Sequence, residues 1–216
     1  MLEKMAEFFE ARLDGYDQHM MQNIEGADKF YPFTASLLPR EAEAEVLDLG
    51  CGTGLELEFY FRINPTARVT GIDLSSGMLD ALRCKFPEKD LNLIRGSYFD
   101  VPLETGRYRA AVSVESLHHF TKEEKTALYK KLFDSLSLGG YFILTDYFSD
   151  TAETERSFFA DLARFKEEQG IVDGEFYHFD TPLTVEHEIE ALLSGGFTKV
   201  DVLAQWGATY ILRATK

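Results

Sequence analysis

The sequence predicts a three-layer α/β fold in which a mostly parallel, seven-stranded sheet carries helices on both faces. Two observations support this. Short apolar runs alternate with helical patterns through the middle of the chain, and two strand-like runs close it. Strands that are separated by helices are joined by right-handed crossovers, which makes neighbouring strands parallel. At 216 residues, 45% of them hydrophobic, the chain can bury one sizeable core, so we expect a single domain.

The first four strands are expected where apolar and β-branched residues cluster in short runs. These runs cover residues 44–49, 67–72, 91–94 and 109–114. Helices are expected after the first strand, over residues 55–63, and after the second, over residues 75–86. The second helix begins with serines that favour its N-cap and places Met78 and Leu82 on one face.

The helix after the fourth strand begins with a capping box, Thr121 followed three residues later by Glu124. Its apolar positions continue to Leu136, and we expect the helix to stop at Gly139-Gly140. A fifth strand follows over residues 141–145. The chain closes with runs at 197–203 and 208–214, joined through Gln205-Trp206-Gly207, a pattern typical of an antiparallel hairpin.

Charge and cysteine content limit the possible partners. There are 22 Lys and Arg residues against 37 Asp and Glu, a net charge of −15, and this field disfavours nucleic acid and anionic membranes. The two cysteines, Cys51 and Cys84, show no CxxC pattern, and no metal site is expected. Residues 1–14 are charged and contain no apolar run. We therefore expect a cytoplasmic protein, monomer or homodimer, whose partner is a small molecule.

The strongest motif is Val46-Leu47-Asp48-Leu49-Gly50-Cys51-Gly52-Thr53-Gly54, a strand that runs into a glycine-rich turn before a helix. Glycines allow a sharp turn and close approach of a ligand to the backbone. The pyrophosphate-binding fingerprint G-x-G-x-x-G would need a third glycine where Leu55 stands. Asp48 instead suits a cationic amine, bound directly or through water, and S-adenosylmethionine carries such an amine where NAD carries phosphates.

The second motif is Asp73, at the end of the second predicted strand. A carboxylate at this point can accept hydrogen bonds from both hydroxyls of an adenosine ribose. Taken alone, it does not distinguish NAD from S-adenosylmethionine. Met78 is expected to lie over the adenine ring, where a polarizable thioether is favourable.

These motifs resemble those of class I, Rossmann-like S-adenosylmethionine-dependent methyltransferases from about Val46 onward. The stretches 96–102, 112–120 and 138–144 are similar to the family's later motifs. The resemblance implies that Gly50, Cys51, Gly52 and Gly54 surround the methionine end of the cofactor, that Asp73 binds the ribose, that Leu74 and Met78 flank adenine, and that Glu115 lies near the cofactor. Many relatives have an aspartate for the adenine amino group where this chain has Ser97. Tyr98 is the alternative for that contact.

The two ends also resemble a subgroup that includes the carboxy-S-adenosylmethionine synthases. The shared features are a leading helix with Tyr16-Asp17, a helical insert after the fifth strand and a final hairpin. This resemblance implies that the leading helices cover the cofactor and that Tyr16 and His19 reach its methionine portion.

From these elements we predict four parts within one domain. They are a helical cover over residues 1–40, a cofactor-binding core over 41–150, a helical insert over 151–185, and a final helix with the hairpin over 186–216.

Candidate catalytic and substrate residues are fewer. Methyl transfer needs a positioned nucleophile and needs a base only when the accepting atom must lose a proton. His118 and His119 follow the fourth strand and are the candidates for such a base, with loop orientation or helix capping as the favoured alternative. Tyr16, His19, His119 and Tyr147 are predicted to contact substrate, with packing as the favoured alternative for the aromatic groups. His187 and the acidic runs 41–45 and 186–190 are expected to face solvent.

Three functions follow from this pattern. The first is a small-molecule methyltransferase. The second is a synthase that modifies S-adenosylmethionine itself, which would need a cationic side chain for the added carboxylate. The third is a non-catalytic protein that binds the cofactor. An NAD-dependent oxidoreductase is disfavoured by the glycine spacing.

Overall fold

The computed structural model describes residues 1–172 and 174–216. One sheet of seven strands forms the centre, in the order β3-β2-β1-β4-β5-β7-β6. The strands are β1 (Glu45–Leu49), β2 (Arg68–Asp73), β3 (Asp90–Arg95), β4 (Tyr108–Val114), β5 (Leu136–Tyr147), β6 (Lys199–Trp206) and β7 (Thr209–Thr215). Neighbours from β3 to β5 pair in parallel, whereas β7 runs antiparallel to both β5 and β6. The predicted fold class is confirmed.

Eight α-helices and one short 3₁₀ helix are found in the described part of the chain. They are α1 (Met5–Glu10), α2 (Tyr16–Asn23), α3 (Ala27–Ser36), α4 (Leu55–Ile63), α5 (Ser76–Lys85), the 3₁₀ helix (Leu117–His119), α6 (Lys122–Ser135), α7 (Ala152–Glu168) and α8 (Val185–Ser194). The N-caps predicted for α5 and α6 are present. The Ser75 side chain accepts from the Met78 N–H, and Thr121 and Glu124 complete the capping box.

Two apolar cores lie on opposite faces of the sheet. On one face, α6 and α8 contribute Leu128, Leu132 and Leu192. On the other, α3 and α4 contribute Phe30 and Tyr60. Strand residues point alternately to the two cores, as the pleat of a strand requires. The layered arrangement fixes β1, β2 and β4 side by side, so their carboxyl ends meet at one edge.

Two expectations about the fold are wrong. The helix after β4 ends at Ser135, not at Gly139-Gly140, because the chain becomes extended at Leu136, which pairs with Tyr108 of β4. Gly139 has a φ of 72°, so the glycines lie in an irregular start of β5.

The second wrong expectation is that the whole acidic run at 186–190 faces solvent. Glu188 is fully buried, and its carboxylate accepts hydrogen bonds from Lys125 Nζ at 2.6 Å and from the Tyr129 hydroxyl. His187 lies beside Glu155, with 2.8 Å from Nδ1 to the nearest carboxylate oxygen. Both partners are distant in sequence, so local charge patterning could not indicate them.

The leading segment forms three helices, of which α1 and α2 reach the crevice at the carboxyl edge of the sheet, whereas α3 packs with α4 on one face of it. Gly26, with a φ of 79°, separates α2 from α3, and an added Cβ there would lie 2.7 Å from Trp206 in the final hairpin. None of the helices in the described ranges has the length and apolar character needed to cross a bilayer.

Candidate cofactor and acceptor site

The glycine turn after β1 and the end of β2 form one hydrogen-bonded unit. Gly50 and Cys51 each donate a backbone N–H to the Ile72 carbonyl, at 2.9 and 3.2 Å. The Asp73 carboxylate accepts the Gly52 N–H at 2.9 Å and, through its other oxygen, the Ser75 N–H at 2.9 Å. Asp73 is therefore held against the turn with its orientation fixed.

Beside this unit lies a narrow crevice of about 50 Å³. It is lined by Met5, Phe9, Tyr16, Gly50, Gly52, Asp73, Leu74, Met78, Tyr98, Val114, Glu115 and Ser116. Most residues predicted to bind the cofactor are in this set. Asp48, Cys51, Gly54 and Ser97 are not in the lining.

The three turn glycines serve different purposes. All have positive φ. A Cβ on Gly50 would lie 2.0 Å from Ser116 Oγ, and one on Gly54 would lie 2.4 Å from a Leu82 methyl carbon, so both glycines are required by packing. Gly52 meets nothing within 4 Å and lines the crevice. Only Gly52 leaves open space for a ligand to approach its Cα.

Behind the turn, Asp48 forms a buried acid pair with Glu56 of α4. Asp48 Oδ2 and Glu56 Oε1 are buried and make no hydrogen bond. Burial, together with the adjacent Glu56 carboxyl, raises the pKa of Asp48 well above its ordinary value, and burial also raises the pKa of Glu56. The pair lies behind the glycine turn and does not line the crevice, so it offers buried acidic oxygens without direct access to that space.

A second and larger cavity, of about 860 Å³, adjoins the crevice. Phe9, Tyr16 and Glu115 line both spaces and form the boundary between them. The residues predicted to contact substrate all line this cavity, namely Tyr16, His19, His119 and Tyr147.

Glu115 stands at this boundary in an unusual backbone conformation. Its φ is 50°, a left-handed value that few residues other than glycine adopt. Its N–H donates to the Thr145 carbonyl at 2.8 Å, and its carboxylate accepts from the Thr209 hydroxyl at 3.2 Å. Burial raises the pKa of Glu115 to about 8. Strain of this kind, fixed by hydrogen bonds, is typical of functional sites.

Comparison with known proteins agrees with this geometry. A family model for a methyltransferase domain matches residues 46–140. Carboxy-S-adenosyl-L-methionine synthase of Campylobacter curvus is 27% identical over 182 residues, which cover 80% of this chain and 76% of that protein. Malonyl-[acyl-carrier protein] O-methyltransferase of Priestia megaterium is 29% identical over 109 residues, which cover 50% of this chain but only 39% of that protein.

Among solved structures, human N-acetylserotonin methyltransferase in complex with S-adenosylmethionine superposes with a TM-score of 0.66 at 16% identity. The match covers 96% of this chain and 56% of the human chain. Residues 46–140 thus match a methyltransferase domain, and the seven-stranded fold is the one found in S-adenosylmethionine-dependent methyltransferases. The chain spans only 39% of the Priestia megaterium protein and 56% of the human chain, so the substrates of those proteins are not assigned to it.

Two adjacent histidines line the larger cavity. They lie on the 3₁₀ helix after β4, and both are buried. His118 Nδ1 is 2.5 Å from Asp146 Oδ1, and Asp146 also accepts the Leu117 N–H at 2.9 Å. Burial opposes a charge on His118, but the Asp146 carboxylate outweighs it and raises the His118 pKa. Burial and the neighbouring His118 lower the pKa of His119 to about 4.

Two residues beside these histidines are not indicated by the sequence. Asp146, near the end of β5, and Asp180, in the segment after α7, meet His118 from different parts of the chain. Ligand atoms of His118, His119 and Asp180 lie within 4.8 Å of one another, a spacing that a metal ion can bridge. Strand ends are where such groups gather in parallel sheets, and this rule could have indicated Asp146.

Proposed function

We propose that the protein transfers the methyl group of S-adenosylmethionine to a small molecule held in the larger cavity. One observation carries this proposal, namely that Asp73 is fixed against the Gly52 N–H beside a crevice that adjoins an 860 Å³ cavity. A cavity of that size is typical of small-molecule sites. It also argues against a purely cofactor-binding role, for which no acceptor space is needed.

When bound, S-adenosylmethionine supplies an activated methyl group and its own leaving group. The chain's task is to bind, orient and exclude water. Asp73 would accept the ribose hydroxyls, and Leu74 and Met78 would enclose the adenine. Asp48, buried behind the glycine turn, would reach the amine of the methionine portion through a water molecule. Phe9 and Tyr16 separate the crevice from the larger cavity.

The charge of the larger cavity favours a neutral or cationic acceptor. Among the described residues that line it, Asp14, Glu25, Glu115 and Asp180 are acidic, and Arg12 is the single residue with a permanent positive charge. An acceptor rich in phosphate or carboxylate would meet a repulsive field there.

The role of His118 or His119 as a general base stays a prediction. A base needs a free ring nitrogen that faces the acceptor. Because Asp146 holds Nδ1 of His118, Nε2 of this ring meets the requirement. The same nitrogen is equally suited to bind a metal ion, and it cannot do both at once.

Calorimetric titration with S-adenosylmethionine and S-adenosylhomocysteine tests the cofactor assignment. Asp73→Asn should weaken both ligands by about tenfold or more, which corresponds to about 1.4 kcal/mol. The control is Asp90→Asn, on the neighbouring strand β3, which removes an exposed carboxylate outside the crevice. Unchanged binding in Asp73→Asn, or no binding to the native protein, would overturn the proposal.

The acceptor is then found with the methyl-labelled cofactor. Purified protein is incubated with a metabolite extract, and the labelled product is identified by mass spectrometry. Label that remains entirely in the cofactor, with intact cofactor binding, would favour a non-catalytic role.

A second candidate is a carboxy-S-adenosylmethionine synthase-like activity, favoured by the 80% coverage of this chain by the Campylobacter curvus protein. Such a product needs a cation for its carboxylate. Arg12 lines the larger cavity, but its guanidinium is already paired with Glu3 at 3.0 Å. Mass spectrometry of the ligand that copurifies with the protein distinguishes the two activities.

A further inference from the structure

Two histidines and one aspartate meet at the inner end of the larger cavity. Asp180 Oδ1 lies 3.6 Å from His118 Nε2 and 3.3 Å from His119 Nδ1. The two imidazole rings are 4.0 Å apart between centroids. Ligand atoms bound to one Zn²⁺ ion at about 2.0–2.2 Å in tetrahedral geometry are separated by roughly 3.3–3.6 Å. These two separations match that spacing, and ligand atoms of the two rings lie within 4.8 Å of each other. His119 Nδ1 also lies 3.1 Å from the Phe179 carbonyl, a contact that a metal bond would replace.

The surroundings of His118 are those of a metal ligand. Nδ1 faces the Asp146 carboxylate, which places the ring proton there and leaves Nε2 as the free electron-pair donor toward Asp180. Asp146 is itself fixed by the N–H groups of Leu117 and Tyr147, at 2.9 and 3.1 Å. Histidines that bind metals usually donate their other N–H to a carboxylate in this manner.

Burial makes the cluster costly unless something binds to it. His118 is 7% exposed and His119 8% exposed, and Asp180 Oδ1 is buried without forming a hydrogen bond. The segment that carries Asp180 is fixed, because the Thr181 N–H donates to the His118 carbonyl at 2.8 Å. A buried carboxylate oxygen that faces two buried imidazoles is a preformed set of donors.

We propose that His118, His119 and Asp180 bind a divalent transition-metal ion, with Zn²⁺ as the best match to two imidazoles and one carboxylate. The remaining coordination position faces the larger cavity, where Tyr147 and Glu115 also lie. An acceptor oxygen or nitrogen bound at that position would be oriented toward the boundary with the crevice, and its pKa would fall.

This assignment departs from the sequence analysis, which predicts no metal site. His118 and His119 are adjacent, but the third ligand comes from a segment after α7, so no short motif contains the set. The assignment also replaces the role of His118 as a base, because a metal ion would occupy the nitrogen that a base needs. It does not depend on the identity of the acceptor.

Metal binding is measured on the full chain after removal of bound ions with a chelator. Co²⁺ is titrated and followed by its visible absorption, and Zn²⁺ is then added as competitor. We expect one equivalent of Co²⁺ per chain, displaced by one equivalent of Zn²⁺. His119→Ala and Asp180→Asn should each weaken binding at least about tenfold. His187→Gln is the control, since that histidine pairs with Glu155 outside the cavity.

Asp180→Asn is the more informative variant, because Asp180 lies in a segment outside the helices and strands and its side chain is 44% exposed. Circular dichroism verifies its fold. Absence of stoichiometric binding, or equal binding in all variants, would overturn the proposal.

A second grouping of Glu115, His118 and Asp146 is also close enough to hold an ion. Binding that is lost in Glu115→Gln but retained in Asp180→Asn would place the ion there and would equally overturn the assignment. Since the titration contains no S-adenosylmethionine, its failure leaves the test of methyl transfer independent.

Discussion

The carboxyl edge of the sheet and the helical cover above it enclose the same crevice but are built differently. At the edge, Val46, Leu47 and Leu49 of β1 are completely buried, and β1 pairs in register with strands on both sides. In the cover, Met5 is the buried residue of α1. The edge is therefore part of the core, whereas α1 is attached to its surface.

The attachments of α1 are mostly polar and exposed. Glu10 accepts hydrogen bonds from the Ser75 hydroxyl at 2.6 Å and the Gly77 N–H at 3.1 Å. At its other end, the Met5 N–H donates to the Phe176 carbonyl at 2.9 Å, and Phe8 stacks on His178 with 3.5 Å between ring centroids. Exposed polar contacts contribute little to stability. The difference indicates that the edge fixes the geometry of the crevice, and we predict that α1 opens more readily than the edge.

The largest expected effect is a difference in stability between two glycine-to-alanine variants, one in the cover and one at the edge. Gly15→Ala, at the N-cap of α2, meets no atom within 4 Å, so its cost is the backbone strain of a φ of 82°, about 1–2 kcal/mol. Gly50→Ala has similar strain and also places a Cβ 2.0 Å from Ser116 Oγ, which adds about 1–3 kcal/mol. Urea unfolding of both variants measures the difference. Equal free energies of unfolding would show that the edge is as adaptable as the cover.

An intermediate effect on stability is expected from a substitution of Asp48. Its pKa is higher in the folded protein than the ordinary value of 3.8, so the folded state is penalised at neutral pH and the penalty disappears as the pH falls toward 3.8. Asp48→Asn removes that penalty and can donate to Glu56. We expect about 1–2 kcal/mol of added stability at pH 7–8 and no gain near pH 4.

The same variant should bind S-adenosylmethionine more weakly, because the amine loses its carboxylate. Thermal unfolding across pH and calorimetry measure the two effects. Glu56→Gln is the matched control, which relieves the same acid pair while retaining Asp48. If Asp48→Asn loses stability at pH 8 and binds S-adenosylmethionine as tightly as the native protein, Asp48 is not part of the site.

The smallest effect on stability is expected from a substitution in α1 of the cover. Phe9→Ala should cost about 1 kcal/mol, because the ring is half-buried, yet it should raise the dissociation rate of S-adenosylhomocysteine several-fold. Stopped-flow displacement measures this rate. Phe59→Ala removes a similar half-buried ring from the outer part of α4 and should leave the rate unchanged. Equal rates in the two variants would mean that α1 does not limit ligand exchange.

The core and the cofactor turn could be predicted because their signals are local. The apolar runs of β1 and β2, the serine cap of α5 and the spacing of Gly50, Gly52 and Asp73 lie within short stretches of sequence. Periodicity and capping chemistry are sufficient to interpret them. The end of α6 was mispredicted because the pairing of Leu136 with β4 overrode the local signal of two glycines.

The acceptor side could be predicted only in part. His119 and Tyr147 were named from their places after strands, but Asp146 as the partner of His118, and Asp180 beside both histidines, depend on contacts between distant segments. The burial of Glu188 by Lys125 has the same origin. Ion pairs between residues that are far apart in the sequence produce no periodic pattern that a single sequence could reveal.

The bridge between Lys4 and Tyr177, with the hydrogen bond from the His178 N–H to the Glu3 carbonyl, joins the first helix to a segment far along the chain. Contacts of such long sequence separation carry a large loop-closure entropy and form late in folding. We therefore predict that the roof of the crevice assembles after the parallel sheet, which would leave the carboxyl edge uncovered until then.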